Sequence, residues 1–154
     1  MIVPYLFKVD KKIVVPVKYL EPPYSFMSED VRGVITWLYY RDLPRAQRFY
    51  EDIMGFEMEV DQGWSKIYRI RDGAYVGLVD GAHGYHKANN IKPVILCLNV
   101  KDADAWYEKL KKNGLDIEEL PRESERLKVK VFMFKDIEGY TIEIQQTMPG
   151  GLSI

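Results

Sequence analysis

Few side chains in this sequence are of a kind that does chemistry, and they stand far apart. The only histidines, His83 and His86, lie in GAHGYHKANNIKP, residues 81–93. Histidine titrates near neutral pH, so the pair could serve an acid–base role or touch a ligand. In a loop rich in Gly and Asn the plainer reading is two solvated side chains. Cys97 is the one cysteine, so there is no internal disulfide and no CxxC or Cys/His zinc spacing. No basic neighbour argues for a thiolate, which leaves Cys97 as a small buried hydrophobe. Glu143 alternates with Ile142 and Ile144. It is either a solvent-facing strand residue or, inside a cleft, a carboxylate fit for acid–base work or for holding a ligand amine or hydroxyl. Trp37, Tyr39 and Tyr75 fall in β-like runs, where aromatics either pack or form flat apolar walls with polar tips.

The elements that would position these residues come from a repeat. Arg41 to Phe56 reads RDLPRAQRFYEDIMGF, and a weaker copy, KDADAWYEKLKKNGL, spans Lys101 to Leu115. A self-similar period signals a repeated architecture. In the first copy Asp42 suits a helix N-cap and Pro44 is tolerated in the first turn. Leu43, Ala46, Tyr50 and Ile53 keep helical spacing, and Gly55 ends the helix. In the second, Asp102 is the cap, Ala103, Trp106 and Leu110 form the buried face, and Asn113-Gly114 is the stop.

Around these helices lie strands. Val34–Tyr40 precedes the first helix, and Phe56–Val60, Trp64–Arg71 and Ala74–Asp80 follow it, the last two joined at Asp72-Gly73. Val94–Val100 precedes the second helix. A strand beginning at Leu115 and Ile117, a polar loop over 121–126, and a hairpin of Leu127–Lys135 and Gly139–Gln146 follow it. Each half is βαβββ. Residues 1–33 form an N-terminal arm, with two edge-strand candidates, IVPYLFKV and KIVVPVKYL, that carry Pro4 and Pro16. The domain proper is 34–147, with modules 34–80 and 94–146, and 148–154 is a flexible tail.

Length and composition bound the function. One domain of 154 residues, 47% hydrophobic and 29% charged, has enough apolar side chains for a core without staples. A net charge of −1 without a basic stripe argues against nucleic acid. The apolar start MIVPYLF lacks a basic n-region and a cleavage site, and no run approaches the 18 apolar residues of a membrane span. The single cysteine fits a reducing, cytoplasmic setting.

Four features together resemble the vicinal oxygen chelate superfamily, the glyoxalase, bleomycin-resistance and extradiol-dioxygenase group. They are the strand leading into RDLPRAQRFYEDIMGF, the shorter helix ending Asn113-Gly114-Leu115, the closing hairpin FKDIEGYTIEI (Phe134 to Ile144), and the βαβββ repeat. Ile137 departs from the Pro often found in the family's D-P-x-G turn. The resemblance implies an α+β fold, two βαβββ modules forming curved mixed sheets around a shared cleft, with the N-terminal arm as an extension. Strand parity then turns Val94, Leu96, Leu98 and Val100 toward the helix and Ile95, Cys97 and Asn99 toward the cleft; in the last strand it turns Ile142 and Ile144 toward the helix and Thr141, Glu143 and Gln145 toward the cleft.

Metal-dependent relatives use four ligand positions, which fall here on Ile35, Gly77, Ile95 and Glu143. Three of these have no side chain that binds a metal, so the resemblance implies no metal and no cofactor. The expected protein is a metal-independent small-molecule binder of bleomycin-resistance type, a homodimer without nucleic-acid or membrane partners. Trp37, Tyr39, Tyr75, Cys97, Asn99 and Glu143 would line its cleft around an amphipathic ligand. The alternative is a glyoxalase-like lyase or isomerase, or a dioxygenase, with Glu143 as base or metal ligand. That chemistry needs an electrophile for the developing oxyanion, a task left to Tyr39, Asn99 or an unplaced cation. A third possibility makes the N-terminal arm an assembly device.

Overall fold

A computed structural model describes residues 30–152. The two arm strands, and the last two residues of the tail, lie outside the described residues. The unit that starts at Gly33 contains two four-stranded mixed sheets. In the first, β1 (Val34–Tyr40), β2 (Glu57–Asp61), β3 (Ser65–Arg71) and β4 (Ala74–Asp80) are ordered β1-β4-β3-β2. In the second, β5 (Ile95–Asn99), β6 (Arg122–Ser124), β7 (Val129–Lys135) and β8 (Thr141–Thr147) are ordered β5-β8-β7-β6. Each sheet pairs its first and last strands in parallel and the others antiparallel. The fold is α+β with the expected doubled βαβββ order.

Both helices start the same way. The Asp42 carboxylate accepts from Arg45 N at 3.0 Å at the start of α1 (Leu43–Arg48), and Asp102 from Ala105 N at 3.0 Å at the start of α2 (Ala103–Lys112). Such a cap satisfies one of the donors every helix start leaves free. Beyond Arg48 the first helix departs from expectation. Phe49–Ile53 is a π-helical turn, with Met54 N donating to Phe49 O at 3.1 Å. The widened turn puts Phe49, Tyr50 and Met54 into the core together, while Ile53, expected there, is only partly buried.

Two further expectations are corrected. Leu115 and Ile117 lie in an irregular stretch, and the short β6 falls inside the segment read as a loop, because Arg122 and Ser124 pair with Val131 and Val129. Tyr107, not Trp106, joins Ala103 and Leu110 on the buried face of α2. Among the described tail residues, Met148 N donates to Lys128 O at 2.9 Å and Gly151 N to Met148 O at 2.9 Å.

Strand parity holds except at Val94, which precedes β5 and is 37% exposed, not turned under the helix. Leu38, Tyr40, Val76, Leu78, Ile142 and Ile144 are buried beneath the helices. Ile35 and Trp37 on the opposite face are 39% and 40% exposed. Burial of that alternating set is what fixes register, since a slip of one residue would turn every side chain over.

Between the modules, side chains stand in for strand pairing. The Tyr140 hydroxyl accepts from Tyr39 N at 2.9 Å and Lys92 Nζ donates to Tyr39 O at 3.1 Å, which satisfies part of the free edge of β1. Beneath them the Tyr40 hydroxyl donates to Asp136 Oδ2 at 2.5 Å and lies 3.1 Å from the Tyr50 hydroxyl. Burial first, then the neighbouring hydroxyl and carboxylate, push Tyr40 far above the usual phenol range. The helices also meet: Asn113 Nδ2 donates to Ile53 O at 2.8 Å and Lys109 Nζ to Met54 O at 3.3 Å. These satisfy carbonyls that the end of the first helix leaves open.

Candidate functional site

The six residues expected to line one cleft fall into three depressions. Trp37 and Tyr39 belong to the first, about 510 Å³, with His86, Lys92, Val94 and Tyr140. Loop 81–93 folds over this end of the first sheet. Its Gly84 approaches Val79 and Tyr39 so closely that a Cβ there would lie 2.4 Å from one and 2.9 Å from the other. His86 meets Tyr39 edge-on at 5.4 Å. His83 instead pairs with Asp80 at 2.7 Å, closing the turn that starts the loop. Of the two histidines, His86 therefore reaches the predicted residues.

Lys92 was not singled out by sequence, because a lysine in a polar linker gives no sign of burial. Its side chain is 3% exposed, and its ammonium sits 4.3 Å from the centre of the Tyr140 ring. Burial holds it below the ordinary lysine range, against the opposing pull of Glu138 and Asp136. Glu138 Oε1 accepts from Arg41 N and Asp42 N at 2.7 and 2.9 Å. Its Oε2 is buried without a hydrogen-bond partner, 4.0 Å from Lys92 Nζ. This cluster braces the junction of the modules.

Glu143 lies in a second depression, about 430 Å³, on the open face of the second sheet with Arg122, Met133 and Gln145. It is not among Trp37, Tyr39 and Tyr75. Its side-chain partner is Cys97, whose Sγ lies 3.0 Å from Oε1. Cys97 is exposed, not buried as expected, because β5 turns it to the open face directly opposite Glu143 on β8. Partial desolvation, then the hydrogen bond and charge of Glu143, push its thiol up to about 12. The pair is thus a thiol donating to a carboxylate, not a thiolate nucleophile. Asn99 Nδ2 on the same face donates to Thr147 Oγ1 at 2.9 Å.

The third depression is lined in part by Tyr75, Cys97 and Asn99. It is a cavity of about 390 Å³ between the N-terminal half of β1 and the C-terminal half of β5. Its walls come from both modules: Val34, Thr36, Phe56 and Ile70 from the first, Leu96, Leu98, Val100 and Trp106 from the second. Phe56, Ile70, Val100 and Trp106 are partly buried against the core. Its volume lies within the range of small-molecule sites, as does its mainly apolar lining. Trp106, expected inside the core, is here a wall of the cavity, with Lys109 Nζ 4.6 Å from its ring centre.

The four positions where metal-dependent relatives carry ligands do not suit a metal. Ile35 and Ile95 bring hydrocarbon. Gly77 brings nothing, and the Trp37 indole lies over it, so that a Cβ at 77 would be 2.2 Å from the ring. Glu143 alone has oxygen donors, where a catalytic zinc needs three protein ligands. Among the described residues no group of three or more His, Cys, Asp or Glu is gathered closely enough to hold a metal ion.

A family model for the glyoxalase/bleomycin resistance protein/dioxygenase superfamily matches residues 33–144, and the chain belongs to that superfamily. Solved structures agree on the fold. A glyoxalase/bleomycin resistance protein/dioxygenase from Nocardioides superposes with a TM-score of 0.65 at 18% identity, over 77% of this chain and 84% of that one. Lactoylglutathione lyase from Agrobacterium tumefaciens gives 0.62 at 19%, over 77% and 96%. TioX from Micromonospora sp. ML1 gives 0.62 at 18%, over 75% and 98%. No curated protein matches the sequence. At these identities the likeness is one of fold, which hosts many chemistries.

Proposed function

We propose that this protein is a metal-independent small-molecule-binding member of its superfamily, holding an amphipathic ligand between its two modules. One observation carries the reading: the mainly apolar cavity of about 390 Å³ whose lining comes from both modules and includes the polar side chains of Thr36, Tyr75, Asn99 and Arg71. Apolar walls with a few convergent polar groups are the usual design of a ligand site. The donor set supports metal independence, since Ile35, Gly77 and Ile95 cannot ligate. In a catalytic reading Glu143 would be the base, but its hydrogen-bonded neighbour is a thiol, a weak donor for an oxyanion.

The test is a melting curve with a panel of amphipathic compounds and, separately, with Zn²⁺, Mn²⁺, Fe²⁺ and Ni²⁺. A ligand at a hundred times its dissociation constant should stabilise the fold by about 2.7 kcal/mol. Shifts with organic ligands alone are expected. A stoichiometric metal with a matching shift would overturn the reading.

A further inference from the structure

The inter-module cavity does not end at its apolar walls. It shares Arg71, Asn99 and Val100 with a wider basin of about 600 Å³, lined also by Lys101 and by the tail residues Thr147 to Leu152. Among the described residues neither Arg71 nor Lys101 is in an ion pair, although Arg69 on the same strand is paired with Glu59. No Asp or Glu lines either compartment. An apolar chamber thus opens onto a vestibule holding two uncompensated cations. The glycines and pinned turn of the tail give that vestibule a wall without adding charge.

We propose that the composite cavity takes an amphipathic anion, a carboxylate or phosphate carried on an aliphatic or aryl body. Its head lies at Arg71, with Lys101 beside it, and its body lies among Phe56, Ile70, Leu96, Leu98 and Trp106. A guanidinium matches the geometry of carboxylate and phosphate with two parallel hydrogen bonds, and it is the better of the two cations for that role. Lys101 supplies a second positive charge without fixed geometry. The body displaces water from apolar surface contributed by both modules, so binding also bridges them. This assignment rests on the reading that the inter-module cavity holds a ligand, and it adds the head-group charge.

Octanoate, octyl phosphate and octanol are titrated into the full-length protein, with tryptophan fluorescence and isothermal calorimetry as readouts. Both anions should bind at least about tenfold more tightly than octanol, as expected for one charge-assisted pair. Their affinity should fall as salt is raised, and that of octanol should not. The ratio of octanoate to octyl phosphate tells which head the site prefers. Arg71→Met should remove most of the difference between the anions and octanol while leaving octanol binding in place. Trp106→Phe should abolish the fluorescence change while calorimetry still registers binding. Equal binding of octanol and the anions would overturn the charge assignment and leave the ligand-binding reading standing. Failure of all three compounds to bind would overturn both. Because Arg71 is exposed, its replacement leaves the core intact, and an unchanged melting temperature confirms this.

Discussion

The two modules place equivalent residues opposite one another and fill the space in opposite ways. In the first sheet Trp37 on β1 faces Gly77 on β4. In the second, Cys97 on β5 faces Glu143 on β8. One pair combines the largest side chain with none, the other a small thiol with a carboxylate that reaches it. Under the helices the modules are alike, with Leu38, Val76 and Leu78 matched by Leu98, Ile142 and Ile144, and with the same Asp cap at each helix start. The doubled scaffold is thus set by the buried faces. The modules differ on their open faces, where the helices do not dictate the side chains.

The sharpest way to test how far the modules differ is at two equivalent turns. Asp72 sits exposed between β3 and β4. Asp136, at the start of the turn between β7 and β8, is 7% exposed. It accepts from the Tyr40 hydroxyl through one oxygen and from the backbone N–H of Glu138 and Tyr140 through the other. Asp136→Ala should cost about 3 kcal/mol, because buried donors lose a charged partner. Asp72→Ala should change stability by less than about 0.5 kcal/mol. Chemical denaturation of both variants checks the pair. Similar losses would mean that the junction is not held by the second module's turn.

Next in size is the indole over the glycine. Gly77→Ala should destabilise by about 1–2 kcal/mol, since the new methyl must move the Trp37 ring. Combining it with Trp37→Ala should recover much of that loss, a coupling that a double-mutant cycle reads directly. Additive effects would mean that the ring swings aside freely. Asn113→Ala should cost about 1 kcal/mol by freeing the Ile53 carbonyl at the meeting of the helices. A melting temperature that does not fall would remove that contact from the list of what joins the modules.

How much of this was legible in the sequence depends on range. The strand parities, the Asp caps and the doubled order follow from spacing within a few residues, and the structure agrees with them apart from Val94 at the start of the fifth strand. The π-helical turn was not legible, because Phe49, Tyr50 and Met54 are drawn in by the core they meet and not by local propensity. The two tenants of the α2 face, Trp106 and Tyr107, could not be ranked from periodicity alone, since both are large aromatics on neighbouring positions. Of the proposed ligand-binding residues, the faces were read from parity, but their gathering was not. Trp37 and Tyr39, Glu143, and the group of Tyr75, Cys97 and Asn99 are divided by how the modules meet. Arg71, Lys92 and Tyr140 were missed, since their roles exist only across contacts distant in sequence. The turn DIEGY, with Asp136 and Tyr140 at its ends, carries the family likeness in the sequence, but nothing local marks its two ends as partners of β1.

The smallest effect on stability should come with the most specific chemical readout. Glu143→Gln keeps the shape of the side chain opposite Cys97 and removes its charge, and on an open strand face it should change stability by less than about 0.5 kcal/mol. The thiol should respond far more. Its value of about 12 in the native protein has partial desolvation as the larger cause and Glu143 as the second. The variant should therefore titrate below the native protein yet still above a free cysteine, whose thiol loses its proton near pH 8.5. Because the folded thiol holds its proton more tightly than the unfolded one, its contribution to stability is complete below that pH. It is lost as pH rises through the folded value, and less of it is present in the variant. Alkylation by iodoacetamide across pH 7 to 11 measures this, since only the thiolate reacts. An unchanged profile would mean that partial desolvation alone sets the thiol. The second module's open pair would then be two neighbours without electrostatic contact.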